Sequence, residues 1–212
     1  MERGSLEQVL FDSKSEVQLD WQTRVKICLG VAKGLQCIHE DGYLHRNVKA
    51  SNILLDENLN AKVSDLGLAK LYNEEDPFWF LKEIGTRVNT APESATGQAD
   101  TNKADVYSYG ILLLEIVSGK SNSKHEQNQE TTFLLNTARI CHKRKRLLDL
   151  VDPKLPNNCR KQALEILDLA MECISDSHDL RPTMSNVVNK LTETENPVKE
   201  MIQKGDSVTI EG

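Results

Sequence analysis

Residues Asp105 to Val117 read Asp-Val-Tyr-Ser-Tyr-Gly-Ile-Leu-Leu-Leu-Glu-Ile-Val, apolar nearly all the way round a helical wheel. A helix without a polar face has no side to give to water, so it must run through the middle of a core, with other elements packed all around it. Gly119 stops it. Wrapping such a helix takes a good deal of chain, and 212 residues suffice for one ordinary domain or one large lobe of a bigger domain. Hydrophobic residues at 39% and charged residues at 27% lie near the globular average, so neither metal nor disulfides are needed for stability.

The charge balance narrows the partners. A formal net charge of −6 gives no electrostatic reason to expect nucleic acid or an anionic membrane. The five cysteines (Cys28, Cys37, Cys141, Cys159, Cys173) are odd in number, scattered and never arranged as C-x-x-C, which argues for a reducing compartment and against a disulfide framework or zinc site. No stretch reaches the roughly 18 uninterrupted apolar residues that span a bilayer, and the first residues lack a signal-type apolar core. The expectation is a cytoplasmic chain without direct membrane insertion.

Other elements follow from periodicity. Asp20 caps a helix in which Trp21, Val25, Cys28, Ala32, Leu35 and His39 recur at three- and four-residue steps, and Asp41-Gly42 ends it. The runs 52–55 and 61–64, separated by Asp56-Glu57-Asn58, predict a small hairpin. About thirty residues of loop, from Asp65 to Glu93, come next, and loops of that length in compact domains are usually functional. Lys120 to Thr132 reads as a surface loop. Helices are expected at 133–141, 160–173 and 184–191, the last with Thr183 as cap. The cluster Lys143-Arg144-Lys145-Arg146 reads as a solvated helix end rather than a nuclear-localisation or phosphate-binding patch.

Three short motifs carry the chemistry. Residues 45–52 read His-Arg-Asn-Val-Lys-Ala-Ser-Asn, Asp65-Leu66-Gly67 begins thirteen residues after Asn52, and Ala91-Pro92-Glu93 closes the long loop. In this order they resemble the catalytic loop His-Arg-Asp-x-x-x-x-Asn, the Asp-Phe-Gly and the Ala-Pro-Glu of eukaryotic protein kinases. The resemblance runs from about Gly4 to Leu191. Segments 55–65, 103–110 and 150–153 make it similar in particular to plant leucine-rich-repeat receptor-like serine/threonine kinases. It implies a mostly α fold: the C-terminal lobe of a kinase over 1–195 from the hinge onward, lacking the N-terminal β lobe, with a loosely structured tail over 196–212.

Roles then follow by resemblance. Asn52 and Asp65 match the magnesium ligands, whose oxygens suit a hard cation. Lys49 matches the catalytic-loop lysine that stabilises the transferring phosphate, Thr86 the threonine that braces that loop, and Leu54 the floor beneath adenine. His45 would pack inward as a structural residue, Arg46 would meet an anionic side chain of the activation segment, Asp105 would anchor the catalytic-loop backbone, and Glu93 would pair with Arg181.

The departures are as informative. Asn47 stands where active kinases have the catalytic Asp, and an amide takes no proton at physiological pH; general-base loss alone costs ~10²–10⁴ in rate. Leu66 for phenylalanine is a tolerable apolar swap. Met1 to Leu6 resembles a kinase hinge, so no Gly-rich loop or strand lysine precedes the motifs, and an internal start or truncated gene copy is expected. Between Asp65 and Thr86 there is no Ser or Thr, only Tyr72, with Glu74, Glu75 and Asp76 as a permanent acid. Phe78-Trp79-Phe80 reads equally as a docking patch or a loop folded back on the lobe. Val88 and Asn89 depart from the usual substrate platform.

The expectation is therefore a pseudokinase-like lobe, with ATP and magnesium bound weakly or not at all, acting as a protein-interaction module with intact receptor-like kinases among its partners. The rival expectation is a portion of a working ATP-dependent serine/threonine kinase. For a full-length form the resemblance implies the cytoplasmic side of the plasma membrane.

Overall fold

The computed structural model describes residues 1–66, 89–95, 101–122 and 134–195. Thr86, Gly67, Tyr72, the acidic run 74–76, the aromatic run 78–80 and the tail 196–212 lie outside the described residues, as does most of the 65–93 loop and of the 120–132 loop.

The chain is mostly helical. Helix α1 (Leu6–Phe11) begins at a reciprocal capping box: Gln8 N–H donates to Ser5 Oγ at 3.3 Å and Ser5 N–H donates to Gln8 Oε1 at 2.9 Å. Six residues are too few for a periodic pattern, so this helix was not anticipated, although Ser-x-x-Gln was readable as a start signal. Asp20 caps α2 (Trp21–Glu40), its Oδ1 accepting from Thr23 N–H at 2.8 Å. Strands β1 (Ile53–Leu55) and β2 (Ala61–Val63) pair antiparallel, with Leu54 opposite Lys62. The turn between them is held by Asp56, which accepts from the backbone of Asn58 and Asn60. Residues 3–5 lie along β1 as a further rung, Leu55 N–H donating to Gly4 O at 2.9 Å.

A single helical turn, α3 (Pro92–Ala95), precedes α4 (Asn102–Ser118), the helix demanded by the apolar stretch. From Val106 to Ser118 every residue of α4 is buried except Ser108. Gly119 ends it in the left-handed region at φ 67°. Against α4 pack α2, α5 (Leu134–Lys143) and α6 (Arg160–Cys173), while α7 (Met184–Glu195) packs on α2 and α6. Close approach has its own requirement: a Cβ at Gly110 would sit 2.7 Å from Cys173 Cβ, so only glycine lets α4 and α6 meet at this separation. Thr183 caps α7 by accepting from Asn186 N–H at 3.2 Å.

Two buried polar ties fix the helices. Arg24 on α2 reaches under α4, donating to Ile116 O at 2.8 Å and to Asp152 Oδ2 at 2.7 Å. Glu115 of α4 is the second: its Oε1 accepts from Asn122 N–H at 2.8 Å, while Oε2 is buried without a hydrogen bond among the described residues. Burial pushes the Glu115 carboxyl up to about 7, outweighing the lowering hydrogen bond from Asn122. Because the folded value is raised, the penalty is absent below about pH 4.5 and grows as pH rises through 7. Glu115→Gln keeps the Asn122 contact without the charge, so it should melt higher than the native chain at pH 8, by up to about 3 kcal/mol at roughly 1.4 kcal/mol per unit, and equally at pH 4. Paired thermal melts decide it; a native chain at least as stable at pH 8 contradicts the burial argument.

Candidate phosphate-transfer site

The site is built around one carboxylate at the start of α4. Asp105 is 1% exposed. Its Oδ2 accepts from His45 N–H at 2.8 Å and from His39 Nε2–H at 2.9 Å, and its Oδ1 accepts from Arg46 N–H at 2.7 Å. Three donors on one buried carboxylate satisfy it and clamp residues 45 and 46. Arg46 is thereby held at φ 62°, a left-handed conformation costing about 1 kcal/mol or more for a residue with a Cβ.

Past that clamp the imidazole of His45, fully buried, crosses to the segment after β2. His45 Nδ1 accepts from Asn47 N–H at 3.2 Å, which leaves the proton on Nε2 to be donated to Ser64 O at 2.8 Å. Ser64 returns to the loop, its N–H and Oγ both donating to Asn52 O at 2.9 Å. The motif at 45–52 and the motif starting at Asp65 are thus one hydrogen-bonded unit, with Asp65 itself held at φ 67°.

Inside this frame the side chains of Asn47, Asn52 and Asp65 converge. Asn52 Nδ2 donates to Asn47 O at 2.8 Å and more weakly to Asp65 Oδ2 at 3.2 Å. Asn47 Nδ2 donates to the same Oδ2 at 2.8 Å. An ionised carboxylate at position 47 would repel Asp65 across that distance, whereas the amide is drawn to it. Position 47 therefore presents a donor, engaged within the site, and no basic atom.

Lys49 is exposed on extended backbone at φ −164°, three residues before Asn52, with its ammonium unpaired among the described residues. Leu54 is half-buried in β1, beside residues 3–5. Thr86 lies outside the described residues. Glu93 and Arg181 form a two-pronged ion pair: Nη1 donates to Oε1, and Nη2 to Oε2 at 2.8 Å. Arg181, 1% exposed, also donates to Ser175 O and Lys103 O and lies 4.8 Å from the centre of the Tyr107 ring. Burial raises the Glu93 carboxyl, but the hydrogen bonds from Arg181 and from its own backbone, with the charges of Arg181 and His178, together more than reverse this and leave it below its ordinary value.

Sequence reasoning missed His39, whose place on the inner face of α2 was the only signal, and a second network behind Glu93. There Ser108 Oγ donates to Asn89 O at 2.9 Å, Asn122 Nδ2 donates to Asn89 Oδ1 at 2.9 Å, and Asn122 Oδ1 accepts from Leu135 N–H at 3.0 Å. Asn122, 2% exposed, thereby ties the segment entering α3 to the ends of α4 and α5.

The donor set fits a cation that bridges phosphates. With its Nδ2 engaged, Asn52 keeps Oδ1 as an oxygen donor, and Asp65 adds a carboxylate; magnesium takes few protein oxygens and would complete its shell with water and phosphate. Among the described residues no three His, Cys, Asp or Glu side chains gather into a protein-only metal cage.

The motif at 45–52 and Asp65 thus share one hydrogen-bonded frame within a helical lobe, the arrangement that the resemblance to protein kinases implies. Comparison with known proteins agrees. The family model described as protein tyrosine and serine/threonine kinase matches residues 1–191. Two Arabidopsis thaliana proteins described as probable LRR receptor-like serine/threonine-protein kinases are each 46% identical over 196 residues, covering 90% of this chain and 19% of their own lengths. A third of the same description is 43% identical over 216 residues, covering 99% of this chain and 21% of its own length. The chain belongs to the protein tyrosine and serine/threonine kinase family, and it spans about a fifth of the length of these relatives. No described helix is long and apolar enough to cross a membrane.

Proposed function

We propose that this chain is a kinase-family lobe that does not transfer phosphate and that serves as a protein-interaction module in receptor-kinase signalling, with intact receptor-like kinases among its partners, on the cytoplasmic face of the plasma membrane. The observation that carries the reading is the Asn47 amide, which donates to Asp65 Oδ2 at 2.8 Å in the place where a proton acceptor is required. Asn52 and Asp65 would hold magnesium, which supplies neutralisation of the phosphate oxygens. Leu54 would lie beneath adenine, Thr86 would brace the loop, and Lys49 would offset charge on the moving phosphate. What the set lacks is a base, and without one the substrate hydroxyl is neither oriented nor relieved of its proton. Binding of ATP with magnesium is expected to be weak or absent, since Asn47 already occupies one oxygen of Asp65.

The second reading is a portion of a working serine/threonine kinase. It is favoured by the intact scaffold, in which Asp105 still clamps residues 45 and 46. Transfer of labelled phosphate from ATP to a generic basic protein separates the two. The purified chain should give no more transfer than its Asp65→Ala variant, and turnover clearly above that control would establish the second reading.

A further inference from the structure

The end of α5 carries an oddity that the phosphate site does not use. The helix finishes in a two-bond reverse turn, Arg146 N–H donating to Cys141 O at 2.8 Å and Lys145 N–H to His142 O at 3.0 Å. Such a turn wants glycine at its left-handed position, and here Lys145 occupies it at φ 55°. Basic residues at a helix C-terminus complement the dipole, which accounts for one or two of them. It does not account for Arg139, Lys143, Arg144, Lys145 and Arg146 together in a chain of net charge −6.

Two of these cations are occupied, Arg139 by Asp176 at 2.6 Å and Arg146 by Asp149 at 2.6 Å. Lys143, Arg144 and Lys145 are exposed, with side chains unpaired among the described residues. The same face of α5 presents Ile140, 48% exposed, one turn before Lys143 and Arg144. A glycine at 145 would be easier on the backbone, so the lysine there costs the turn something and adds one more cation to the exposed cluster.

We propose that the end of α5 is a docking surface for an acidic segment of a partner protein, with Lys143, Arg144 and Lys145 meeting its carboxylates and Ile140 taking an apolar side chain. The patch is narrow and bounded by Asp149 and Asp176, which suits a short segment and not an extended polyanion such as a membrane or a nucleic acid. The inference deepens the interaction-module reading and rests on it only for the partner being a protein. It uses none of the residues at the phosphate site, so the labelled-transfer assay and the titration below can each fail alone.

Titrate the purified chain against a fluorescent twelve-residue Asp/Glu peptide with one central leucine, by anisotropy at low and high salt. Native chain binds and weakens with salt; simultaneous Lys143→Glu, Arg144→Glu and Lys145→Glu lowers affinity at least about tenfold. Ile140→Ser weakens binding several-fold with the charge unchanged. Lys145→Gly melts no lower than native, showing the turn intact, yet binds less tightly. Circular dichroism of each variant confirms the fold. Unchanged affinity in the charge-reversed chain or in Ile140→Ser overturns the proposal, as does tighter binding of phosphatidylserine vesicles or of a single-stranded oligonucleotide through the same residues.

Discussion

Glu93→Ala is expected to cost the chain about 3–5 kcal/mol, the range for removing one partner of a buried ion pair. Arg181 is buried, and it cannot turn to water, because its guanidinium is simultaneously bonded to Ser175 O and Lys103 O and lies over the Tyr107 ring. Deleting the carboxylate leaves a full positive charge with only neutral partners in a low-dielectric setting. At roughly 2–4 °C per kcal/mol for a domain of this size, the melting temperature should fall by roughly 10 °C. Glu93→Gln keeps one acceptor for the guanidinium and should fall by less. Because the Glu93 carboxyl lies below its ordinary value, the pair's contribution is full above about pH 4.5 and is lost only as pH drops through the lowered value. Thermal melts at pH 7 measure the loss. A variant within a degree or two of native would mean that the guanidinium is not confined as its contacts indicate.

What was legible in advance divides along physical lines. The core helix, the long α2 with its Asp20 cap and the hairpin were readable because each announces itself locally, by apolar runs, a cap or a turn. Helix α1 was hidden, since six residues carry no period and the Ser5–Gln8 start signal stands alone without one. The Arg24–Asp152 tie joins positions 128 apart in the chain, and nothing near either residue advertises the other. Asn122 sat in a stretch read as a surface loop, yet it is buried, because three chain segments need donors and acceptors at one point. At the phosphate site the substitution at position 47 was visible at once, while its consequence was not. Only the geometry has the amide turned onto Asp65, so that the change both removes an acceptor and occupies an oxygen that a cation would take.

Asn47→Asp is the second large effect, and it bears on the centre of the account. Restoring the carboxylate returns the proton acceptor and withdraws the Asn47 hydrogen bond from Asp65 Oδ2, leaving that oxygen only the weaker contact from Asn52 at 3.2 Å. Two carboxylates this close repel, and divalent metal relieves the repulsion, so the substitution should also tighten metal dependence. The rate gain should match the usual worth of a general base, ~10²–10⁴. The Asp105 clamp and the His45–Ser64 bond stay in place, so the new carboxylate enters a frame already set.

The most direct measurement is phosphate transfer by this sequence fused behind the N-terminal lobe of an active related kinase, with position 47 as Asn or as Asp and everything else unchanged. An Asn form at background and an Asp form at least a hundredfold faster, with the gain abolished by Asp65→Ala, is the predicted result. Equal rates for the two forms would contradict the claim that the amide at position 47 is what silences the site.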